Sequence, residues 1–214
     1  MIVKGWSYSA YSTYNTCARK YLYAYIEKLP QPKHPAAERG VTTHKKGEDF
    51  LLGKIAECPP EFHKFKALML DLRELEAQPE LEIILDSGWS PAPKEQRWLK
   101  GVIDAAVIYE DNTGCIVDFK TGKQYPEHET QIQLYALMLR ALHPEIGDIE
   151  TRLWYLDQGH ESKDISIAAN DSHLRSIWSS RANKMLTDEN FALNPGRHCY
   201  WCPFHVRKGG PCDG

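Results

Sequence analysis

The chain has 214 residues, 42% of them hydrophobic and 26% charged, with a formal net charge of −3 at pH 7. That length suits one domain with a substantial core. A mean hydropathy of −0.51 and ordinary apolar content exclude both wholesale disorder and a bundle of spanning helices. Charge is uneven: residues 1–75 carry 12 basic and 8 acidic side chains, whereas residues 76–214 carry 14 and 21. An acidic part able to hold a cation beside a mildly basic part is a first hint of chemistry, though a solvated surface accounts for it too. The start, MIVKGWSYSAYSTY, has no apolar h-region, so a secretory leader is not expected and an intracellular location is.

Ser7 or Ser9 is predicted to cap a helix running over 10–29 and stopping before Pro30. A polar linker, PQPKHPAAE, follows. Further helices are predicted over 39–57 and 59–77, the last with Pro59 and Pro60 at its start. Beyond residue 80 the periodicity changes. Strands are predicted at 81–86, 98–109 and 115–120, the last two joined by EDNTG as a hairpin. An amphipathic helix is expected over 126–143, then strands at 149–157 and 163–168 around a turn, QGHES. Asn170 is the predicted cap of a final helix over 173–187, and the end is irregular. The fold class is therefore α/β (α+β), a mixed central sheet flanked by helices. The expected organisation is one domain over 1–214: a helical lead-in (1–78), a core (79–187) and a Cys-rich tail (188–214).

The most informative residues are Asp104 in GVID and Asp118 and Lys120 in DFK. Each carboxylate interrupts an apolar, β-prone run, where burial without a partner is costly. Asp118 and Lys120 are i and i+2 on one strand and share a face. If the hairpin forms, Asp104 lies beside Asp118, and two carboxylates and an ammonium converge at one sheet edge. Such a group suits Mg²⁺ or Mn²⁺ that keeps waters and takes phosphate oxygens. A bare Asp–x–Lys is equally a structural ion pair in a half-buried strand.

In their order and spacing, His44 in GVTTHKKGE, GVID, DFKTGK and QIQLYA resemble the PD-(D/E)XK nuclease superfamily, and within it the RecB-like branch. That branch includes CRISPR-adaptation nucleases, AddB-type nuclease domains and phage exonucleases. The resemblance implies a restriction-endonuclease-like core and a Mg²⁺- or Mn²⁺-dependent DNA exonuclease acting on single strands or duplex ends. It implies His44, Asp104, Asp118 and the Phe119 carbonyl as metal ligands, with Lys120 as the catalytic lysine. Gln131 and Tyr135, i and i+4 on one helix, would position that lysine or the DNA strand. The family's upstream acidic residue falls on Glu80 or Glu82, of which Glu80 is preferred. Alternatives left open are a non-catalytic DNA-binding or adaptor subunit and a nuclease of CRISPR spacer processing. Recombination, repair or phage DNA metabolism is the implied setting, with a protein of such a pathway as partner and a bacterial, archaeal or phage source.

Three of the six cysteines fall in the last sixteen residues, a concentration that suggests metal or cluster ligation rather than disulfides. The resemblance implies a 4Fe–4S cluster on Cys17, Cys199, Cys202 and Cys212. Nine residues separate Cys202 from Cys212, longer than the family spacing. Zinc, with His198 or His205 as nitrogen ligands, and a metal-free tail therefore stay open. Cys58 and Cys115 are read as bystanders. The first helix carries Tyr8, Tyr11, Tyr14, Tyr21, Tyr23 and Tyr25, which either stack on bases or pack on the core, and packing is preferred for at least half. Lys45, Lys46 and Lys123 are the candidate DNA-phosphate contacts, with Arg207 and Lys208 as weaker ones.

Overall fold

A computed structural model describes residues 5–32, 34–162 and 171–214. Ser7 caps the first helix, its hydroxyl accepting from the Ala10 N–H at 3.3 Å. This helix, α1 (Tyr8–Thr16), ends at Cys17, whose backbone is extended (φ −163, ψ 114). A short α2 (Ala18–Tyr21) then runs into a π-helical turn over Leu22–Ile26. The single helix expected over 10–29 is thus broken in the middle, with no proline or glycine to announce it.

Helix α3 (Pro35–Leu51) starts earlier than expected and ends earlier. His34 Nδ1 accepts from the Ala36 N–H and Pro35 opens the first turn, which recruits four residues of the predicted linker. A 3₁₀ turn over Pro60–Phe65 leads into α4 (Lys66–Glu74). The core then follows as β1 (Gln78–Leu85), β2 (Leu99–Ile108), β3 (Gly114–Lys120), α5 (Glu127–Leu142), β4 (Ile149–Tyr155), β5 (His160–Glu161) and α6 (Ser172–Leu186). The two-residue β5 occupies part of the predicted turn QGHES. The strand expected at 163–168 and the Asn170 cap lie outside the described residues; Asp171 stands at the N-cap of α6.

The five strands form one mixed sheet in the order β1-β2-β3-β4-β5. Only β3–β4 is parallel, and α5 is the crossover that such a pairing requires. Helix α5 is buried almost all round, against β2 and β3 and under Tyr8 and Trp178. The opposite face packs Phe50, Phe62, Phe65 and Met69 from α3, the 3₁₀ turn and α4 on Val117, Phe119 and Trp154. Both faces being covered explains why β3 is buried at six of its seven positions. The expected α/β fold, a mixed sheet between helices, is the observed one.

Alternation along β2 slips by one residue in its middle. Leu99 and Ile103 pack on the α5 side and Ala106 does too, while Ala105 and Val107 face α3 and α4. The slip falls at Asp104. Across the ladder, the register passes from Pro79↔Ala105 to Leu81↔Ile103, and Glu80 between them has φ +49. A left-handed non-glycine residue inside a strand is a local distortion that re-aims neighbouring side chains. Here it re-aims two carboxylates.

Candidate active site and cysteine cavity

The ladder between β2 and β3 runs from Ile108↔Gly114 to Ala105↔Val117 and stops one step short of Asp104 and Asp118. The Asp104 side chain takes over at that point: its Oδ2 accepts the Phe119 N–H at 2.6 Å. Its Oδ1 lies 3.1 Å from His44 Nδ1 on α3, and Glu80 Oε1 lies 4.0 Å from the same nitrogen. Donor atoms of His44, Glu80 and Asp104 all fall within 4.8 Å of one another.

The electrostatics of this trio are those of a cation site. Burial raises the Glu80 carboxyl above its usual range, and the charge of Asp104 adds to the effect. Burial opposes a proton on His44, but the hydrogen bond and charge of Asp104, with Asp118 and Glu80 beyond, push its pKa up to about 9. Two hard carboxylates and a borderline imidazole nitrogen make a ligand set that a divalent metal can accept.

Asp118 is only 2% exposed and faces the other way, toward α5. Its Oδ2 is 2.6 Å from Lys120 Nζ and otherwise has no hydrogen bond. Burial raises the Asp118 pKa to about 6, against the pull of Lys120. Lys120 donates to Gln131 Oε1 at 2.8 Å, and Gln131 Nε2 donates to the Tyr135 hydroxyl at 2.8 Å. Burial, then the charge of Asp118, holds the Tyr135 phenol neutral far into the alkaline range. Asp118, Lys120, Gln131 and Tyr135 thus form one continuous polar row.

The expected meeting of Asp104 and Asp118 at a sheet edge needs correction. Both lie within central strands, Asp104 in the middle of β2 and Asp118 near the end of β3, with Asp104 turned to α3 and Asp118 to α5; the peptide N–H of Phe119 joins the halves. Glu80 and Glu82, expected on one face, separate: Glu82 is ion-paired with Lys100, and Glu80 stands beside His44. Lys45 and Lys46, expected at DNA phosphates, are engaged by Glu48 and Asp49 and by Glu61 respectively. Lys123 is exposed. Half-buried His128, not singled out from the sequence, lies 3.3 Å from the Tyr155 hydroxyl. Its pKa falls to about 4 through burial and the charge of Lys120. Its spacing of three and seven residues before Gln131 and Tyr135, on the same helix face, was the available signal.

At the far end of α1, Cys17, Cys199, Cys202 and Cys212 line one cavity with Lys20, Tyr23, His198 and His205. None of the four is in a disulfide; three are buried and Cys199 is partly exposed. Gly196 N–H points at Cys199 Sγ at 3.4 Å, a donor suited to a thiolate. Around the cavity the termini are tied by Arg19 to the Phe191 carbonyl (2.9 Å) and Asn194 to the Thr16 carbonyl (2.8 Å). The extended residue that breaks the first helix is therefore the one presented to the tail. Of the helix tyrosines, Tyr8, Tyr21 and Tyr23 are buried, and Tyr11 and Tyr14 pack against the core. Cys115 is a core residue of β3.

A family model of the PD-(D/E)XK nuclease superfamily matches residues 5–207. Among solved structures, a protein designated SSO0001 is similar at 15% identity and a TM-score of 0.59, over 98% of this chain and 86% of that one. A candidate exonuclease from Eubacterium rectale is similar at 13% identity and a TM-score of 0.51, over 96% and 87%. At such identities the likeness is one of fold. The search of curated proteins finds no match.

Proposed function

Because the chain belongs to the PD-(D/E)XK nuclease superfamily, we propose that its polar row hydrolyses phosphodiester bonds of DNA with divalent metal ions. The observation that carries this reading is the pairing of a three-ligand cation site with a lysine held by two partners, on either side of one peptide N–H. His44, Glu80 and Asp104 would hold Mg²⁺ or Mn²⁺, with Asp118 and the Phe119 carbonyl at the margin of the same site. The bound ion would supply Lewis-acid polarisation of the phosphate and a water of lowered pKa. Asp118 holds the Lys120 ammonium at the strand end, and Gln131, itself fixed by Tyr135, sets its direction. That ammonium orients the attacking water and offsets charge gathering on the phosphate.

The substrate reading is single-stranded DNA or DNA ends degraded exonucleolytically, in keeping with the candidate exonuclease of the same fold. End-labelled single- and double-stranded DNA incubated with Mg²⁺ or Mn²⁺ tests it. Wild type should shorten the label progressively, and Asp118→Ala and Lys120→Ala should each lose at least about a hundredfold in rate, the scale of one positioned charge. Equal rates in the variants would overturn it. Salt-sensitive DNA binding without turnover would support an adaptor subunit instead.

For the cysteine cavity we propose a 4Fe–4S cluster on Cys17, Cys199, Cys202 and Cys212. Four reduced thiols around one cavity, brought together from both ends of the chain, support this reading. Anaerobic purification should give a brown protein with iron and a visible absorption band that Cys199→Ala removes. A colourless, zinc-loaded protein would replace the cluster by zinc.

A further inference from the structure

The tail carries a second feature, adjoining the cysteine cavity and sharing Cys199 and His205 with it. Tyr200 and Trp201, in the 3₁₀ turn Arg197–Trp201, are 66% and 74% exposed. Their rings meet edge to face at 4.7 Å. Four of the other tryptophans are far more enclosed: Trp6, Trp89, Trp154 and Trp178 are all below 8% exposed. Leaving an indole and a phenol in water, side by side on a short turn between two cysteines, is unfavourable without an occupant.

Beside the pair lies a cavity of about 290 Å³, lined by Arg197, Tyr200, His205, Arg207 and Lys208, with Cys199, Pro195 and two glycines completing its wall. The residues lining it include no Asp or Glu. Among the described residues, no carboxylate lies within ion-pairing distance of Arg197, Arg207 or Lys208, in contrast to Arg39, Lys45, Lys46 and Arg152, which are all paired. Free cations around a cavity flanked by exposed rings match one kind of ligand. Every base offers a face to stack on an aromatic ring, and the phosphates between bases take the cations.

We propose that this face of the tail docks single-stranded DNA, with Tyr200 and Trp201 as a stacking platform and Arg197, Arg207 and Lys208 as phosphate contacts. The biological sense of the site rests on the nuclease reading, because a strand held on the tail would be retained between cleavage events. The site itself is separate from the catalytic row and is tested without turnover.

Binding of a fluorescent 20-nucleotide oligo(dT) to the full, cluster-intact chain is measured in EDTA, so that cleavage plays no part. Trp201 is the most exposed indole, so the oligonucleotide should quench the long-wavelength part of the tryptophan emission. Trp201→Ala should abolish that quenching and weaken binding roughly five- to a hundredfold, the worth of one stacked base. Trp201→Phe should restore most of the affinity. Arg207→Glu with Lys208→Glu should flatten the salt dependence, whereas Lys184→Glu, an exposed cation on α6, should shift affinity less than about twofold.

Unchanged affinity in Trp201→Ala, or a duplex that binds as well as the single strand, would overturn the proposal. So would a Trp201→Ala variant that turns an oligomer into a monomer with DNA affinity intact; the patch would then be an interface between copies of the chain. Loss of cleavage in Asp118→Ala bears on the catalytic reading alone, so the two can fail separately.

Discussion

Glu80 is where conformational strain and charge coincide. Its φ of +49 costs about 1 kcal/mol in a non-glycine residue, and its carboxyl is half-buried beside Asp104. Glu80→Gly removes both burdens, so it should raise the melting temperature by roughly 2–4 °C in metal-free buffer. On the proposed function the same variant should lose metal-dependent cleavage, because one of the three proposed ligands is gone. A lowered melting temperature would show that the carboxylate stabilises the fold rather than straining it. Strain kept at a functional position is a common exchange of stability for activity. Sequence parity alone cannot choose between Glu80 and Glu82, which alternate in phase. What separates them in space is Lys100, which engages Glu82 from the neighbouring strand, and the backbone turn at Glu80, which stands beside His44. Neither is visible without the register.

Two helices carry the active-site partners onto the sheet, and each does so over a glycine. A Cβ on Gly101 would stand 2.8 Å from Met138 and 3.2 Å from Tyr135, both on α5. A Cβ on Gly47 of α3 would stand 2.8 Å from Phe62 and 3.2 Å from Phe119. These glycines set how close Tyr135 and His44 come to the strand ends. Gly101→Ala should cost about 1–3 kcal/mol through overpacking. It should also lower cleavage by more than that loss of folded protein accounts for, since an ångström of displacement disturbs a positioned site by about a hundredfold. Cleavage in proportion to folded protein in a thermal-shift-matched assay would argue against this coupling. At this scale the sequence was most legible. β2, β3 and α5 announce themselves by period, and Gln131 and Tyr135 by helical spacing. The break at Cys17 was hard to read because Asn15, Thr16 and Cys17 are weak helix formers and not outright breakers; the bond from Asn194 to the Thr16 carbonyl at that point comes from nearly two hundred residues later.

Across the whole molecule, tyrosines substitute for much of the aliphatic packing between α1 and the body. Burial, with the charge of Glu127 behind it, raises the Tyr8 pKa to about 12. Burial and the Asp188 hydrogen bond do the same for Tyr14. Below pH 10 these phenols are protonated in both folded and unfolded chains and do not affect the balance. Between pH 10 and 12 the unfolded chain loses its protons first, so stability must fall as pH rises; above 12 the loss levels off. The urea midpoint should therefore drop between pH 9 and pH 11.5, with tyrosinate absorbance near 295 nm appearing together with unfolding. Tyr8→Phe should reduce the slope. A midpoint independent of pH in that window would contradict the burial of these hydroxyls.

The join between the first helices and the tail also has a consequence in time. Tyr14, Arg19 and Thr16 bond to residues 172 to 178 positions further on. At roughly 5–20 residues per second of synthesis, α1 leaves the ribosome about ten to thirty seconds before its partners exist. Strands β2 and β3 and helix α5 are synthesised before that, so the residues of the polar row exist while α1 still lacks these partners. Closure there requires Asp188, Phe191 and Asn194 to reach back to Tyr14, Arg19 and Thr16. Throughout that interval Cys17 lacks Cys199, Cys202 and Cys212, the three cysteines with which it lines one cavity.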